Sequence, residues 1–123
     1  MIKNQPIIGV HDVEKSSKWY QHLLDCKSGH GGDTFEMLQD SNGSTFLCLH
    51  KWGEHDHPTL SNPDILPGNG LILYLTVEDL KKAWKNAQDL HAEIEEQLHL
   101  NPNSGREQFC LKDPDGYYLM ITA

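Results

Sequence analysis

The residues of this chain best suited to chemistry are histidines: His50, His55 and His57 fall in one short segment together with Glu54 and Asp56. Imidazole and carboxylate at that density are the donors of zinc and other transition-metal sites. The spacing matches no structural zinc motif, and the segment runs into a Pro-rich stretch, so ordinary surface histidines are the favoured reading. Trp52 lies beside them. Its ring suits stacking on a planar or cationic ligand as well as it suits closing a core. Arg106 could aim its planar fork at a ligand carboxylate, although an ion pair with Glu107 or another acid is the duller and preferred reading. The cysteines, Cys26, Cys48 and Cys110, are odd in number and form no C-x-x-C pair, which argues against a disulfide framework and a cysteine zinc site. No phosphate loop or serine nucleophile elbow accompanies them.

Positioning such groups takes a folded domain, and 123 residues with 37% hydrophobic and 23% charged content suffice for one. The formal charge of −8 leaves no basic stripe for phosphates, so neither nucleic acid nor an anionic membrane is an expected partner. No long apolar stretch or cleavage pattern opens the chain, and the run Leu71 to Leu75 is too short to span a bilayer. A soluble protein in the reducing cytoplasm is expected.

The elements are written twice. Val10-His11-Asp12-Val13 recurs as Val77-Glu78-Asp79-Leu80, each after an apolar run that reads as a strand and each with an Asp suited to cap a helix. Val13, Trp19, Tyr20, Leu23 and Leu24 keep helical spacing in the first copy, and Leu80, Ala83, Trp84, Ala87 and Leu90 keep it in the second. Hairpins follow at Ser41-Asn42-Gly43 and Asp113-Pro114-Asp115-Gly116, where glycine supplies the positive φ of tight turns. Short strands near 26–29 and 92–98 complete β-α-β-β-β in each copy. Residues 51–69 read as a connection between module one, about 5–50, and module two, about 70–123.

Val10-His11-Asp12-Val13-Glu14-Lys15-Ser16-Ser17-Lys18-Trp19-Tyr20 resembles the V-x-D-x-x-x-S-x-x-[FW]-Y segment of the glyoxalase/bleomycin resistance protein/dioxygenase (vicinal oxygen chelate) superfamily. Asp113-Pro114-Asp115-Gly116-Tyr117 resembles its D-P-D-G signature, and Gly105-Arg106-Glu107 stands ahead of the last hairpin. The resemblance implies an α+β fold of two βαβββ modules, a curved cup of mixed sheet with helices outside. In the enzymes four side chains hold a divalent metal on the cup floor. The matching positions here are Gln5, Leu47, Ile72 and Met120, and apart from the Gln5 amide none suits a hard cation.

Strand alternation assigns Ile8, Val10, Phe46, Cys48, Leu73, Leu75, Val77, Leu119 and Ile121 to the helix side. The other face then mixes apolar groups, phenols and small hydroxyls, a lining suited to an organic ligand. The expected function is that of the metal-free bleomycin-resistance-like branch: binding a small, largely organic molecule with Gln5, Leu47, Leu49, Trp52, Ile72, Tyr74, Arg106, Tyr118 and Met120, without catalysis or cofactor. The alternative is a metal-dependent lyase or dioxygenase-like enzyme using Gln5 and the loop histidines. A homodimer is expected on either reading.

Overall fold

The computed structural model describes residues 3–55 and 57–123. The chain divides into two compact units, one reaching Leu66 and one starting at Pro67. The first holds β1 (Ile7–Val10), α1 (Val13–Leu24), β2 (Lys27–Ser28), β3 (Phe35–Gln39) and β4 (Thr45–Lys51), followed by a 3-10 turn at Pro58–Leu60. The second holds β5 (Ile72–Thr76), α2 (Leu80–Asp89), β6 (Glu93–Leu100), β7 (Glu107–Lys112) and β8 (Tyr118–Thr122). Each unit is therefore β-α-β-β-β, as the repeat predicts.

The local chemistry is the same in both copies. Asp12 and Asp79 leave the strands with extended backbone, and their carboxylates accept the N–H of Lys15 and Lys82, each at 3.0 Å. Those bonds satisfy donors that a helix start would otherwise leave orphaned. At the hairpins, Asp40 accepts from the N–H of Asn42 and Ser44, and Asp113 from those of Asp115 and Tyr117. Gly43 and Gly116 sit at φ of 80° and 93°, where a side chain would be strained.

The sheets follow one plan, with orders β1-β4-β3-β2 and β5-β8-β7-β6. In each, the first and last strands are parallel and the other pairs antiparallel, which makes the fold α+β with mixed sheets. One face of each sheet packs its helix. In the second unit the ring of Trp84 on α2 meets Phe109 edge-on at 5.1 Å, and Leu73, Leu111, Leu119 and Ile121 are buried with it. In the first, Ser17 on α1 bonds Glu36 at 2.8 Å, which places Glu36, Leu38 and their ladder partners Leu49 and Leu47 beneath α1.

That placement corrects the strand-alternation reading of β4, which set Leu47 and Leu49 on the helix-free face and Phe46 and Cys48 beneath the helix. Counting forward from Gly43 misses a bulge: Leu38 pairs with Leu47 but Gln39 pairs with Thr45, so Phe46 is an extra residue in β4. One inserted residue moves every later side chain to the other face. Leu47 and Leu49 are fully buried under α1, and Cys48 and His50 take the opposite face with Ile7 and Met37.

The segment read as a free connection also differs. Residues up to Leu66 belong to the first unit: the Trp52 N–H donates to Val10 O, the Gly53 N–H donates to Leu60 O at 2.7 Å, and Leu60 is buried. From Gly68 onward the chain lies with the second unit, against the Tyr117 ring. Pro58 opens the short 3-10 turn whose Leu60 carbonyl holds Gly53.

Candidate functional site

On the helix-free face of the second unit, β5 and β8 run side by side with Ile72 opposite Tyr118 and Tyr74 opposite Met120. The structure thus brings together four of the residues singled out in the sequence. Ile72 and Tyr74 are 54% and 50% exposed, and Tyr118 and Met120 are half-buried between them and β7. Tyr118 shares a hydrogen bond with Cys110, which, with burial, pushes its phenol up from the ordinary value and keeps it neutral. Arg106 does not join this face. It lines a separate cavity of about 330 Å³ with Glu78, Lys81, Leu98 and Glu107.

The first unit presents a different site on its helix-free face. His50, two residues beyond Cys48 on that face, is 3% exposed and held between Gly9 of β1 and Phe35 of β3. Its Nδ1–H donates to the Lys51 carbonyl at 2.8 Å, since a carbonyl can only accept, and in the neutral ring this makes Nε2 the acceptor. His55 Nδ1 lies 3.2 Å from that Nε2, and the rings of His55 and His57 stand 5.3 and 4.9 Å from the His50 ring. One nitrogen from each of the three lies within 4.8 Å of the others. The trio borders a cavity of about 520 Å³ whose other walls are Ile7, Phe35 and the 30–34 loop. Glu54 is not part of the cluster, and Asp56 lies outside the described residues.

The 30–34 loop is held by a residue that the sequence reading overlooked. Glu36 is 2% exposed, yet its carboxylate accepts from the hydroxyls of Ser17 and Ser28 and from the N–H of His30, Gly31 and Met37. Burial alone would raise the carboxyl. The bonds from Gly31, Ser17, Ser28 and His30 outweigh it and hold the group down at about 2. A signal was available: a Glu at a position where period two requires an apolar residue, with serines on the facing helix.

Trp52 lies flat over Gly9, where a Cβ would come within 2.8 Å of the indole. Its Nε1–H is buried with no hydrogen-bond partner among the described residues. The three thiols are poor nucleophiles. Burial pushes Cys26 up to about 12 and raises Cys48 and Cys110, so none is a ready thiolate.

The positions that the resemblance associates with metal can now be assigned by ladder. Ile7 and Tyr74 each stand five residues before their capping Asp, and they pair with Cys48 and Met120. Cys48 is therefore the counterpart of Met120, and Leu47 is not. The first unit offers exposed Gln5 and a buried, protonated Cys48, and the second offers Ile72 and Met120 with no nitrogen or oxygen donor. This donor set does not fit a hard divalent ion.

Residues 4–121 match the family described as the glyoxalase/bleomycin resistance protein/dioxygenase superfamily. No curated protein matches the chain. Solved structures do: a "conserved domain protein" is 27% identical with a TM-score of 0.74, covering 99% of this chain and 97% of its own. A protein of unknown function from Agrobacterium tumefaciens is 23% identical with a TM-score of 0.79, covering 99% and 93%. A bleomycin resistance determinant encoded on a transposon is 19% identical with a TM-score of 0.66, covering 99% and 97%. With two βαβββ units in place and the match spanning nearly every residue, the chain belongs to the glyoxalase/bleomycin resistance protein/dioxygenase superfamily.

Proposed function

We propose that this chain binds a small, largely organic molecule on the helix-free face of its sheets, with no metal at the positions Gln5, Cys48, Ile72 and Met120. The observation that carries the reading is the face of β5 and β8: its underside packs α2, while Ile72 and Tyr74 stay half exposed beside Tyr118 and Met120. Contiguous exposed apolar and phenolic groups mark a recognition surface more often than a solvated one. The similarity to a bleomycin resistance determinant is consistent with this reading. A homodimer, closing the exposed face, belongs to the same proposal.

The test is a panel of aromatic compounds screened by thermal shift and followed by calorimetry on untagged protein. At least one is expected to bind at micromolar Kd and to lose about tenfold in affinity, roughly 1.4 kcal/mol, with Tyr74→Ala. If no compound stabilises the protein, or if binding is indifferent to both Tyr74→Ala and Met120→Ala, the reading is wrong.

A further inference from the structure

We propose that His50, His55 and His57 form a transition-metal site in the first unit, taking an ion of the zinc class and leaving one coordination position open to the cavity between Ile7 and Phe35. This inference goes beyond the organic-ligand reading and uses none of the residues on which that reading rests. It also differs from the superfamily positions assigned above, since none of the three histidines occupies one.

Two nitrogens that share a tetrahedral zinc at 2.0–2.1 Å are about 3.3 to 3.4 Å apart. His50 Nε2 and His55 Nδ1 already lie at 3.2 Å, and the widest separation in the trio is 4.8 Å. His57, which is exposed, is the member whose ring would turn to close that difference. His50 is the fixed member, buried in β4 between two paired strands. Its Nδ1–H bond to Lys51 O selects, in the neutral ring, the tautomer with an unprotonated Nε2 turned toward His55, the outer arrangement that metal-bound histidines use. Borderline ions such as zinc favour imidazole, whereas magnesium and calcium require oxygen.

The repeat supplies a comparison within the molecule. The ladder position of His50 in the first unit is held by Thr122 in the second, and that of Phe35 by Gln108. The histidine cluster is therefore an addition of the first unit and no requirement of the βαβββ frame. Three protein ligands beside a cavity of about 520 Å³ are the pattern of an open site, whose fourth position accepts water or an oxygen donor of a ligand. Asp33 and Thr34 on the cavity wall supply polar contacts, and Ile7 and Phe35 supply apolar ones.

The test uses untagged, chelator-stripped protein titrated with Co²⁺ and then Zn²⁺. One equivalent of Co²⁺ should bind with the intense visible bands of four-coordinate geometry, and Zn²⁺ should displace it. His55→Ala and His57→Ala change exposed side chains, so both should fold as judged by circular dichroism, and each should weaken Zn²⁺ binding by at least about tenfold. His99→Ala, in the second unit, should change nothing. Several weak equivalents, a faint six-coordinate Co²⁺ spectrum, or affinity unchanged in both loop variants would each overturn the site. Binding of aromatic compounds through Tyr74 would be unaffected by any of these results.

Discussion

Where the second unit packs Phe109 against Trp84, the first unit has Glu36 at the matching ladder position, opposite Leu49 as Phe109 is opposite Ile121. A buried carboxylate is costly unless fully bonded, and the five donors around Glu36 meet that cost while fixing the loop that walls the histidine cavity. Its folded value, about 2, is below the ordinary value near 4.5. The ionised group thus stabilises the fold fully above pH 4.5, and the contribution is lost as pH falls toward 2. The shift corresponds to roughly 3 kcal/mol. Glu36→Gln should therefore cost roughly 2 to 3 kcal/mol by urea unfolding at pH 7, with the gap to the native protein shrinking toward pH 3. A gap that stays constant would refute the linkage. Gly9 is a second test at this scale. A methyl there would meet the Trp52 ring at 2.8 Å, so Gly9→Ala should cost about 1 to 3 kcal/mol, and a Trp52→Leu background should relieve it.

Element by element, the bulge at Phe46 decides which residues of β4 face the helix and which face the cavity. The assignment predicts opposite outcomes for two similar substitutions. Leu47→Glu drives a carboxylate under α1 and should cost about 4 kcal/mol or more. Met120→Glu, on a half-exposed face, should cost roughly 1 kcal/mol. Comparable costs in chemical denaturation would mean that the register of β4 is wrong. The same bulge shows what the sequence discloses and what it withholds. Strands, helices and hairpins were legible because their signals are local: a capping Asp three residues before its N–H partner, a Gly in each turn, a helical stripe ending in Leu24. The register of β4 was not, because an inserted residue shows only when its partner strand is known. The faces of β5 and β8, which carry no bulge, came out as alternation predicts, and so did the meeting of Ile72, Tyr74, Tyr118 and Met120. The histidine cluster was obscured for another reason. His50 reaches His55 only because the chain after β4 turns back at Gly53, held by the Leu60 carbonyl, and spacing alone does not reveal that return.

For the molecule as a whole, no helix among the described residues is long and apolar enough to cross a membrane. Its exposed apolar surface calls for another cover. Sheet edges are usually protected by charge or brevity. In the second unit β6 carries Glu93, Glu95 and Glu96, and in the first β2 has two residues. The other edge of the second sheet is β5, Ile72-Leu73-Tyr74-Leu75-Thr76, with no charge and with Ile72 and Tyr74 half exposed. The homodimer proposed above would cover them, because a two-fold contact covers the same patch on both copies. Electrostatics opposes the pairing, since each copy brings a formal charge of −8. Screening should therefore help it: light scattering at micromolar protein should show a dimer that tightens as salt rises from about 0.05 to 0.5 M, over which the Debye length falls severalfold. Ile72→Asp combined with Tyr74→Asp places two like charges on the patch of each copy, and should give a folded monomer at every salt concentration. A native protein that stays monomeric throughout the salt series would leave the β5 face to the small ligand alone.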